Sequence, residues 1–351
     1  MTLDDLANKK VGILGFGQEG QAVFNYLKKH GITPHVYDEQ GSDPTAEPNG
    51  FQNISECQIL FRSPGIWRNH PEIIKAEKQG TVITSQAKWF FDNCPSKIIG
   101  VTGTKGKGTT CSLIYNTLQT ANASVYLTGN IGKLQPLEFL DQTTAEDWVV
   151  YELSSFQLQD LTKSPHMGIC LMVTSDHLNH HENIGEYHSA KTAITAFQSS
   201  EDVAIYNADY KASKKIGLLG KGTKFKISSK QRPEVGAFIH NDDIEIFSGE
   251  GHQPILIPFK DRKLRGAHNL ENIGAAALAC MKIGIPIDLI SRSMNQFHGL
   301  EHRLQFVKES QGVSYYNDSI STVPDTAVAA IKSFNQPIHL FLGGSDKGLD
   351  Y

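Results

Sequence analysis

The chain has 351 residues, more than one hydrophobic core normally serves, which predicts two or three domains. Hydrophobic residues make up 39% and charged residues 20%, a composition typical of a globular α/β protein and unlike that of a disordered or collagen-like chain. The net charge is −4 and no basic run of five residues occurs. These features argue against nucleic acid or a membrane surface as the main partner.

The N-terminus carries no pattern of a secretory signal. Its first ten residues are polar and acidic where a signal peptide is basic and then apolar, and no apolar run approaches 18 residues. We therefore expect a cytoplasmic location. The five cysteines are scattered without a CxxC pair, which favours neither a zinc site nor a disulfide framework.

The first predicted unit begins with a strand over residues 11–16 that enters the turn GFGQEG. A helical pattern follows over residues 22–29, and a second strand over residues 33–37 ends on Asp38. Strand, GxGxxG turn, helix, strand and acid are the order of the dinucleotide-binding fingerprint. The motif alone is weak, so a nicotinamide site, another nucleotide site and plain helix packing all remain open.

A third strand over residues 57–62 ends in the turn Ser63, Pro64 and Gly65, which offers backbone donors at the carboxyl edge of the sheet. A helix over residues 71–78 and a strand over residues 81–84 follow. A polar break at residues 93–96 then predicts the first domain boundary. Residues 1–95 are therefore expected to form a Rossmann-like unit.

A second glycine-rich turn lies at residues 97–110, KIIGVTGTKGKGTT, between a β-branched run and a helical pattern. Backbone N–H groups and the helix dipole make such a turn an anion cradle, and Lys107 adds the positive charge for a phosphate. Gly108 stands where a P-loop carries a metal-binding hydroxyl, so Thr109 or Thr110 would have to supply it. The competing interpretation is an ordinary turn between a strand and a helix.

Two further strand ends carry candidate site residues. The strand at residues 148–152 stops on Glu152, placed either as a magnesium ligand or as a surface acid. The strand at residues 168–174 runs into SDHLNHH, where His177 is nearest the crevice, and the spacing of the histidines does not favour zinc. A helix over residues 186–197 carries Lys191, in a setting where lysine is usually solvated.

The period changes between residues 224 and 260, where alternating polar and apolar residues predict a small antiparallel sheet attached to the parallel one. A helix rich in alanine then runs to residue 282. Asn269 is predicted to cap it, and the Asn272 amide to face a base or a phosphate.

The last fifty residues predict strands at 304–307 and 313–316, a helix at 326–333 and a strand at 338–342. So short a stretch cannot bury a third core, and we expect a chain that stops early or is a fragment.

The motifs GTKGKGTT, GNIG, YELSSFQL, TSDHLNHH, HNLEN, EHRL, YYNDS and LGGSDKG occur in this order. Together they resemble the Mur ligase family of peptidoglycan assembly, over residues 10–351, and as a set they are specific. The resemblance implies a UDP-sugar-binding Rossmann-like domain at 1–95, a central ATP-binding P-loop domain at 96–298 and an incomplete C-terminal ligase domain at 299–351.

The resemblance also implies roles for individual residues. The UDP sugar would contact Gly17, Gln18, Glu19, Asp38, Ser63, Pro64, Gly65 and Asn130. ATP would contact Gly103, Thr104, Lys105, Gly106, Lys107, Gly108, Thr109, Asn272, Arg303 and Asp318. Mg²⁺ would be held by Thr109, Glu152, His177 and Lys191, with Lys191 as a carbamate. Glutamate would contact Thr322 and Lys347, and the catalytic set would be Lys107, Glu152, His177 and Lys191.

The implied activity is ATP-dependent, ADP-forming addition of glutamate to UDP-N-acetylmuramoyl-L-alanine through an acyl phosphate, with D-glutamate and a monomeric enzyme expected. Ile320 departs from the family lysine, and a hydrophobic residue there is known in a branch that adds L-glutamate. Two other functions stay open. One is a folylpolyglutamate synthetase-like ligase. Such ligases lack the first unit, so residues 15–38 argue against this alternative. A nucleotide-binding protein without ligase activity is the alternative from a different class.

Overall fold

The computed structural model describes residues 1–39, 46–47, 50–174, 183–249, 252–259, 262–266, 268–321 and 324–344. Within these residues the strands form three sheets, of four, nine and two strands. Along the chain, the strands of the two larger sheets alternate with helices, which confirms the predicted α/β class. No helix in the described part of the chain is both long and apolar enough to cross a membrane.

The first sheet is parallel and has the strand order β2-β1-β3-β4. Its central strands β1 and β3 are buried along their whole length, as expected of a sheet with both faces covered. The elements of this part are β1 Val11–Leu14, α1 Gln18–Lys29, β2 His35–Tyr37, β3 Ile59–Arg62, α2 Pro71–Lys78, β4 Val82–Thr84 and α3 Gln86–Asn93.

The central sheet has nine strands in the order β13-β12-β11-β10-β9-β8-β5-β7-β6. Its elements are β5 Lys97–Thr102, α4 Lys107–Thr120, β6 Val125–Gly129, α5 Pro136–Phe139, β7 Trp148–Glu152, α6 Ser155–Leu158, β8 Met167–Cys170, α7 Ile184–Ala190, β9 Val203–Asn207, α8 Lys211–Gly217, β10 Thr223–Ser228, β11 Val235–His240, β12 Asp243–Ser248, β13 Ile255–Pro258, α9 His268–Ile283 and α10 Ile287–Gln296. Seven of its strands, β5 to β11, pair in parallel.

The alternating segment after residue 223 does pair antiparallel, but only from β11 to β13. Those strands are hydrogen-bonded into the central sheet as its edge, and β10 pairs in parallel with both of its neighbours. Alternation therefore indicated half-buried strands correctly, while the pairing direction depended on the connections between them.

The third sheet is a hairpin of β14 Gln305–Ser310 and β15 Val313–Asn317, followed by α11 Pro324–Ile331. The predicted strand at residues 338–342 is wrong. Residues 336–344 pair with no described strand, and Phe341 is 95% exposed. An apolar run becomes a strand only where a neighbouring strand accepts its backbone hydrogen bonds, and no such neighbour lies among the described residues.

Two large apolar clusters cover the faces of the central sheet. One lies under α4 and α9 and includes Ile114 and Ala275. The other joins Ile13 of the first sheet to Val149 of the central sheet in a single cluster. The two sheets therefore share one continuous core, and burial of its apolar surface stabilises their contact.

Local capping sets several helix starts. Ser85 Oγ accepts a hydrogen bond from Lys88 N (3.2 Å) at the start of α3, and Asn183 Oδ1 accepts one from Glu186 N (3.0 Å) at α7. Helix α7 ends at residue 190 and continues as a 3₁₀ turn to residue 194, short of the predicted end. Asn269 does not cap α9, because the helix starts one residue earlier and its Nδ2 donates to Arg265 O (2.6 Å).

Candidate active site

The carboxyl ends of the parallel strands open into two cavities, as expected for ligand sites in α/β sheets. The first, here named the glycine-turn cavity, has a volume of about 690 Å³. All eight residues predicted to contact a UDP sugar line it. Its lining residues are Gly15, Phe16, Gly17, Gln18, Glu19, Asp38, Glu39, Phe51, Ser63, Pro64, Gly65, Ile66, Trp67, His70, Gly129, Asn130, Gly132 and Gln135.

The glycine turn that gives this cavity its name is held by hydrogen bonds. Gly15 has φ +80°, and a Cβ at Gly20 would overlap the Gly15 carbonyl oxygen, so both positions require glycine. Ser63 Oγ donates to Gly15 O (2.8 Å), and Phe16 N donates to Asp38 Oδ2 (2.9 Å). Asp38 thus fixes the turn, and the first N–H groups of α1 lie at the cavity.

No lysine or arginine occurs among the described residues that line the glycine-turn cavity, whereas Glu19, Asp38 and Glu39 do. Burial of the Glu19 carboxyl raises its pKa to about 7, opposed by the hydrogen bond that Gln157 donates to it (2.8 Å) and by Arg62. An anion in this cavity would therefore be bound by backbone N–H groups at the N-terminus of α1.

The second cavity, here named the P-loop cavity, has a volume of about 300 Å³. Six of the ten predicted ATP contacts line it. Its lining residues are Lys105, Gly106, Thr109, Leu171, Met172, Asn207, Tyr210, His268, Asn269, Glu271, Asn272, Arg303, Leu304, Asp318, Ile320, Ser321, Thr326, Ala329 and Ala330. The other four, Gly103, Thr104, Lys107 and Gly108, lie in the adjoining loop and first turn of α4.

Helix α9 packs tightly against the P-loop. Gly106 precedes α4 with φ +89°, and a Cβ there would overlap Asn272 Oδ1. The Asn272 Nδ2 donates to Asn269 Oδ1 (2.9 Å). Lys107 Nζ donates to the carbonyl oxygens of Gly103 (3.1 Å) and Thr104 (3.3 Å), so its charge stays over the loop. The loop conformation is thus that of an anion cradle with a cation at its centre.

Glu152 is 8% exposed, which rules out the surface-acid interpretation. Burial raises the pKa of its carboxyl, while Lys107 and Arg303 oppose the shift. Its Oε2 would lie 3.3 Å from a Cβ at Gly108. The carboxylate therefore stands beside the position where other P-loops carry their hydroxyl, and Thr109, 3% exposed and lining the cavity, is the neighbouring hydroxyl.

Lys191 is 1% exposed, so it is not a solvated helix lysine. Its Nζ lies 3.4 Å from both Thr102 Oγ1 and Gly103 O, and 4.6 Å from the centre of the Tyr187 ring. The lysine thus reaches from the turn after α7 to the strand that enters the P-loop.

Of the four predicted magnesium ligands, Thr109, Glu152 and Lys191 lie among the described residues. His177 lies outside the described residues, as do the predicted glutamate contacts Thr322 and Lys347. The described residues contain no group of three or more His, Cys, Asp or Glu side chains that could hold a metal ion. The buried Glu152 carboxylate and the Thr109 hydroxyl are oxygen ligands of the kind that Mg²⁺ prefers. The donor types present therefore fit this ion.

Residues next to both cavities come together at the end of β7. Gly129, which lines the glycine-turn cavity, is paired with Glu152 in the sheet register. A Cβ at Gly108 would lie 2.9 Å from Ile131 Cδ1. Ile131 follows Asn130 of one cavity and Gly108 precedes Thr109 of the other, so residues next to the two linings come close together beside Glu152, which itself lines neither cavity.

Several lining residues were missed from the sequence. In the P-loop cavity they include Asn207, the last residue of β9, and Tyr210, which follows that strand. They also include Glu271, whose Oε2 accepts a hydrogen bond from Asn207 Nδ2 (2.8 Å). The rule that ligands bind at the carboxyl ends of parallel strands could have identified the turn after β9. In the glycine-turn cavity, the rings of Phe51 and His70 pack edge to face with their centres 5.2 Å apart. No local sequence pattern indicated this contact.

A P-loop, a buried acid beside it and an adjoining second glycine turn define a nucleotide-binding α/β protein. Residues 101–280 match the family model of the Mur ligase middle domain. The chain is 34% identical to the UDP-N-acetylmuramoylalanine–D-glutamate ligase of Clostridium tetani and 36% identical to that of Acetivibrio thermocellus. These alignments cover 98% and 99% of this chain and 77% of each relative.

Among solved structures, the UDP-N-acetylmuramate-alanine ligase MurC of Thermotoga maritima aligns with a TM-score of 0.55 at 17% identity, over 93% of this chain and 77% of that one. That likeness shows the fold. The sequence relatives show more. The chain belongs to the Mur ligase family, as its motifs predicted.

Proposed function

We propose that the protein catalyses the ATP-dependent, ADP-forming ligation of D-glutamate to UDP-N-acetylmuramoyl-L-alanine in peptidoglycan synthesis. The observation that carries the proposal is that two cavities, one at a P-loop and one at a glycine turn whose described lining holds no lysine or arginine, both have lining residues close to Glu152 at the end of β7. The two relatives named above for this reaction, at 34% and 36% identity, support the choice of substrates.

The UDP sugar would occupy the glycine-turn cavity. Its diphosphate would accept hydrogen bonds from the N–H groups at the start of α1, and the sugar and its alanine would extend toward Asn130. Because Asn130 follows Gly129, the register partner of Glu152, the alanine carboxylate would arrive beside the P-loop.

ATP would lie across the P-loop, with its phosphates over Lys107 and its nucleoside in the P-loop cavity near Asn272, Arg303 and Asp318. The side chain of Asp318 is already oriented: its Oδ1 accepts from Leu304 N (2.9 Å) and its Oδ2 from Ser321 Oγ (2.5 Å). Mg²⁺, when held by Glu152 and Thr109 with His177 and Lys191, would neutralise phosphate oxygens.

The chemistry follows from this placement. An oxygen of the alanine carboxylate attacks the γ-phosphorus, the bond to the β-phosphate oxygen breaks, and ADP leaves. The amine of glutamate then attacks the acyl carbon, loses a proton, and phosphate departs as the amide forms. Lys107 stabilises the oxygens that gain negative charge, and the cavity walls hold the reactants together.

We propose further that Lys191 carries a carbamate formed with carbon dioxide. A bare ammonium would repel a nearby Mg²⁺, whereas the carbamate is an anion whose oxygens suit a hard cation. Its burial and its position beside Thr102 and Gly103, at the entry to the P-loop, support this role.

We also propose domains at 1–95, 96–298 and 299–351, a cytoplasmic location and a monomer. The three sheets support the domain bounds, because their strands span residues 11–84, 97–258 and 305–317.

The test measures ADP, phosphate and amide product with ATP, UDP-N-acetylmuramoyl-L-alanine and each enantiomer of glutamate. We expect amide with D-glutamate, formed about 10³-fold more slowly by Lys107→Ala. Amide with L-glutamate alone would identify the L-glutamate-adding variant, consistent with Ile320, which lines the P-loop cavity. Turnover only with a folate acceptor would support the folylpolyglutamate synthetase-like alternative. Binding of both nucleotides without turnover would reject an enzyme.

A further inference from the structure

Helix α1 crosses between the first sheet and the central part of the chain, and each of its ends makes a polar contact there. At its first turn, Glu19 Oε1 accepts a hydrogen bond from Gln157 Nε2 (2.8 Å). At its other end, Lys29 Nζ and His30 Nε2 lie 2.6 and 3.0 Å from Asp141 Oδ2. The first contact belongs to the glycine-turn cavity, since Glu19 lines it, while Asp141 lines neither cavity.

Gln157 connects Glu19 to the turn that follows β7. The side-chain Oε1 of Gln157 accepts hydrogen bonds from Ser154 N (2.9 Å) and Ser154 Oγ (3.0 Å). The backbone N–H of Gln157 donates to Ser154 Oγ (3.3 Å). This capping box starts α6 two residues after Glu152. One amide side chain therefore joins the first turn of α1 to the turn that directly follows Glu152.

The same turn is attached to the P-loop strand. Leu153 N donates to Val101 O (2.9 Å), and Thr102 Oγ1 donates to Leu153 O (2.9 Å). A change in the position of the Gln157 side chain would therefore shift the Glu152 carboxylate relative to Gly108. Small displacements of this kind carry large costs when reactants must be held in one geometry.

The Glu19 carboxyl is built for contact with a donor. Its Oε2 is buried and finds no hydrogen-bond partner among the described residues. Burial raises its pKa to about 7, so a neutral carboxylic acid is well populated near neutrality. A neutral acid preserves the Gln157 contact without placing a full negative charge at the N–H groups that would receive a diphosphate.

We propose that Glu19 and Gln157 are positioning residues that couple occupancy of the glycine-turn cavity to the placement of Glu152 beside the P-loop. The inference rests on the proposed function in taking the two cavities as two nucleotide sites. A ligand that orders the glycine turn fixes Glu19, Glu19 fixes Gln157, and Gln157 fixes the turn at Ser154. Binding at either cavity then favours binding at the other.

Other contacts besides this pair also hold the two sheets together. Arg62 donates to Asp160 Oδ2 from Nη2 (2.6 Å) and from Nε (3.1 Å), and to Phe156 O (3.0 Å), across the same contact. The shared apolar core lies alongside. Loss of the Glu19 contact should therefore change coupling more than folding.

The experiment measures the dissociation constant of UDP-N-acetylmuramoyl-L-alanine by calorimetry, with and without saturating ADP and Mg²⁺. We expect the nucleotide to tighten binding at least about fivefold in the natural sequence, within the usual range of coupling between sites. Glu19→Ala and Gln157→Ala should each reduce this factor to less than about twofold, and the double variant should show no further loss. Glu19→Gln, which keeps an acceptor for Gln157 and is neutral, should retain it.

Asp141→Asn is the matched control, because it weakens the contact at the other end of α1 and should keep the coupling. Equal loss in Asp141→Asn, or full coupling in both alanine variants, would overturn the proposal. So would an absence of coupling in the natural sequence. If Glu19→Ala does not fold, Gln157→Ala and Glu19→Gln decide alone. Amide product without coupling rejects only the positioning pair, whereas coupling without product rejects only the proposed function.

Discussion

The glycine-turn cavity and the P-loop cavity are built on the same unit, a strand that enters a glycine turn at a helix N-terminus. They differ in charge. The described lining of the first holds three acids and neither lysine nor arginine, while the second is lined by Lys105 and Arg303 with Lys107 beside it. Both can cradle a phosphate with backbone N–H groups. Among these described residues, only the second cavity supplies side-chain cations for charge that develops during a reaction.

The comparison teaches that the glycine turn decides where a phosphate can bind and the neighbouring side chains decide what happens to it. A diphosphate held by backbone donors is bound and left intact. A triphosphate beside Lys107 and the buried Glu152 meets groups that stabilise phosphoryl transfer. We therefore propose that the two cavities have separate tasks, and substitutions should separate them.

The largest effect is expected from Lys107→Ala. It should lower the rate of ADP release by about 10³-fold, the cost of removing one strong electrostatic stabiliser. The affinity for UDP-N-acetylmuramoyl-L-alanine should stay within about twofold, because Lys107 Nζ is held over the P-loop and does not line the glycine-turn cavity. Steady-state assays and calorimetry measure the two effects. An equal loss in both would mean that the cavities do not act separately.

Lys191→Ala should lower activity by at least about 10–100-fold, because losing a metal ligand should cost no less than losing a group that orients one. Short carboxylic acids such as acetate should restore part of the activity by replacing the carbamate oxygens. Lys191→Arg keeps a cation that cannot form a carbamate and should not respond to acetate. Activity that is insensitive both to these substitutions and to bicarbonate depletion would contradict the carbamate.

Gly108→Ser should reduce the Mg²⁺ concentration needed for half-maximal binding of ADP by about tenfold, because it restores a hydroxyl beside Glu152. The new Cβ meets the flexible ends of Ile131 and Leu300, which can shift. Gly108→Ala adds the same bulk without the oxygen and is the control. Calorimetry measures ADP binding at a series of Mg²⁺ concentrations. The same Mg²⁺ requirement in both variants would show that the metal does not use this position.

The smallest effect is a pH-dependent change in stability from Glu19→Gln. Because the folded protein raises the pKa of Glu19 from 4.5 to about 7, stability is lost as the pH rises from about 4.5 through about 7, then stays level. The substituted amide does not titrate, so the variant should gain a few degrees in melting temperature at pH 8 but little at pH 4.5. Burial causes the shift, with Gln157 and Arg62 opposing it and Asp160 adding to it. A constant difference between the two pH values would contradict the assignment.

Much of the cavity framework was predictable because it depends on local patterns. The glycine turns, Asp38 and Glu152 all follow strands, and parallel strands bring their ends to one edge. The burial of Lys191 and of the Glu19 carboxyl was not predictable, since helix periodicity alone does not reveal which polar residue another element will cover. The strand predicted at residues 338–342 failed for a related reason: pairing needs a distant partner, and none lies among the described residues.

Residues that join distant parts of the chain were the hardest to predict. Gln157 reads locally as the end of a capping box with Ser154, and its contact with Glu19, 138 positions away, has no sequence signal. Asn269 was predicted to cap α9, but the helix begins one residue earlier. The Asn269 side chain instead donates a hydrogen bond to Arg265 O and accepts one from Asn272 Nδ2.

The register pairing of Gly129 with Glu152 has a consequence for inhibitor chemistry. Because lining residues of the glycine-turn cavity and the P-loop cavity lie close to this pair, one compound could occupy both through a tether. A covalent link turns the second binding event into an intramolecular one, with an effective concentration in the millimolar range for a short flexible linker. Fragments too weak to be useful singly could then be joined into a tight bisubstrate ligand, whose tether would run past the closely packed Ile131 and Gly108.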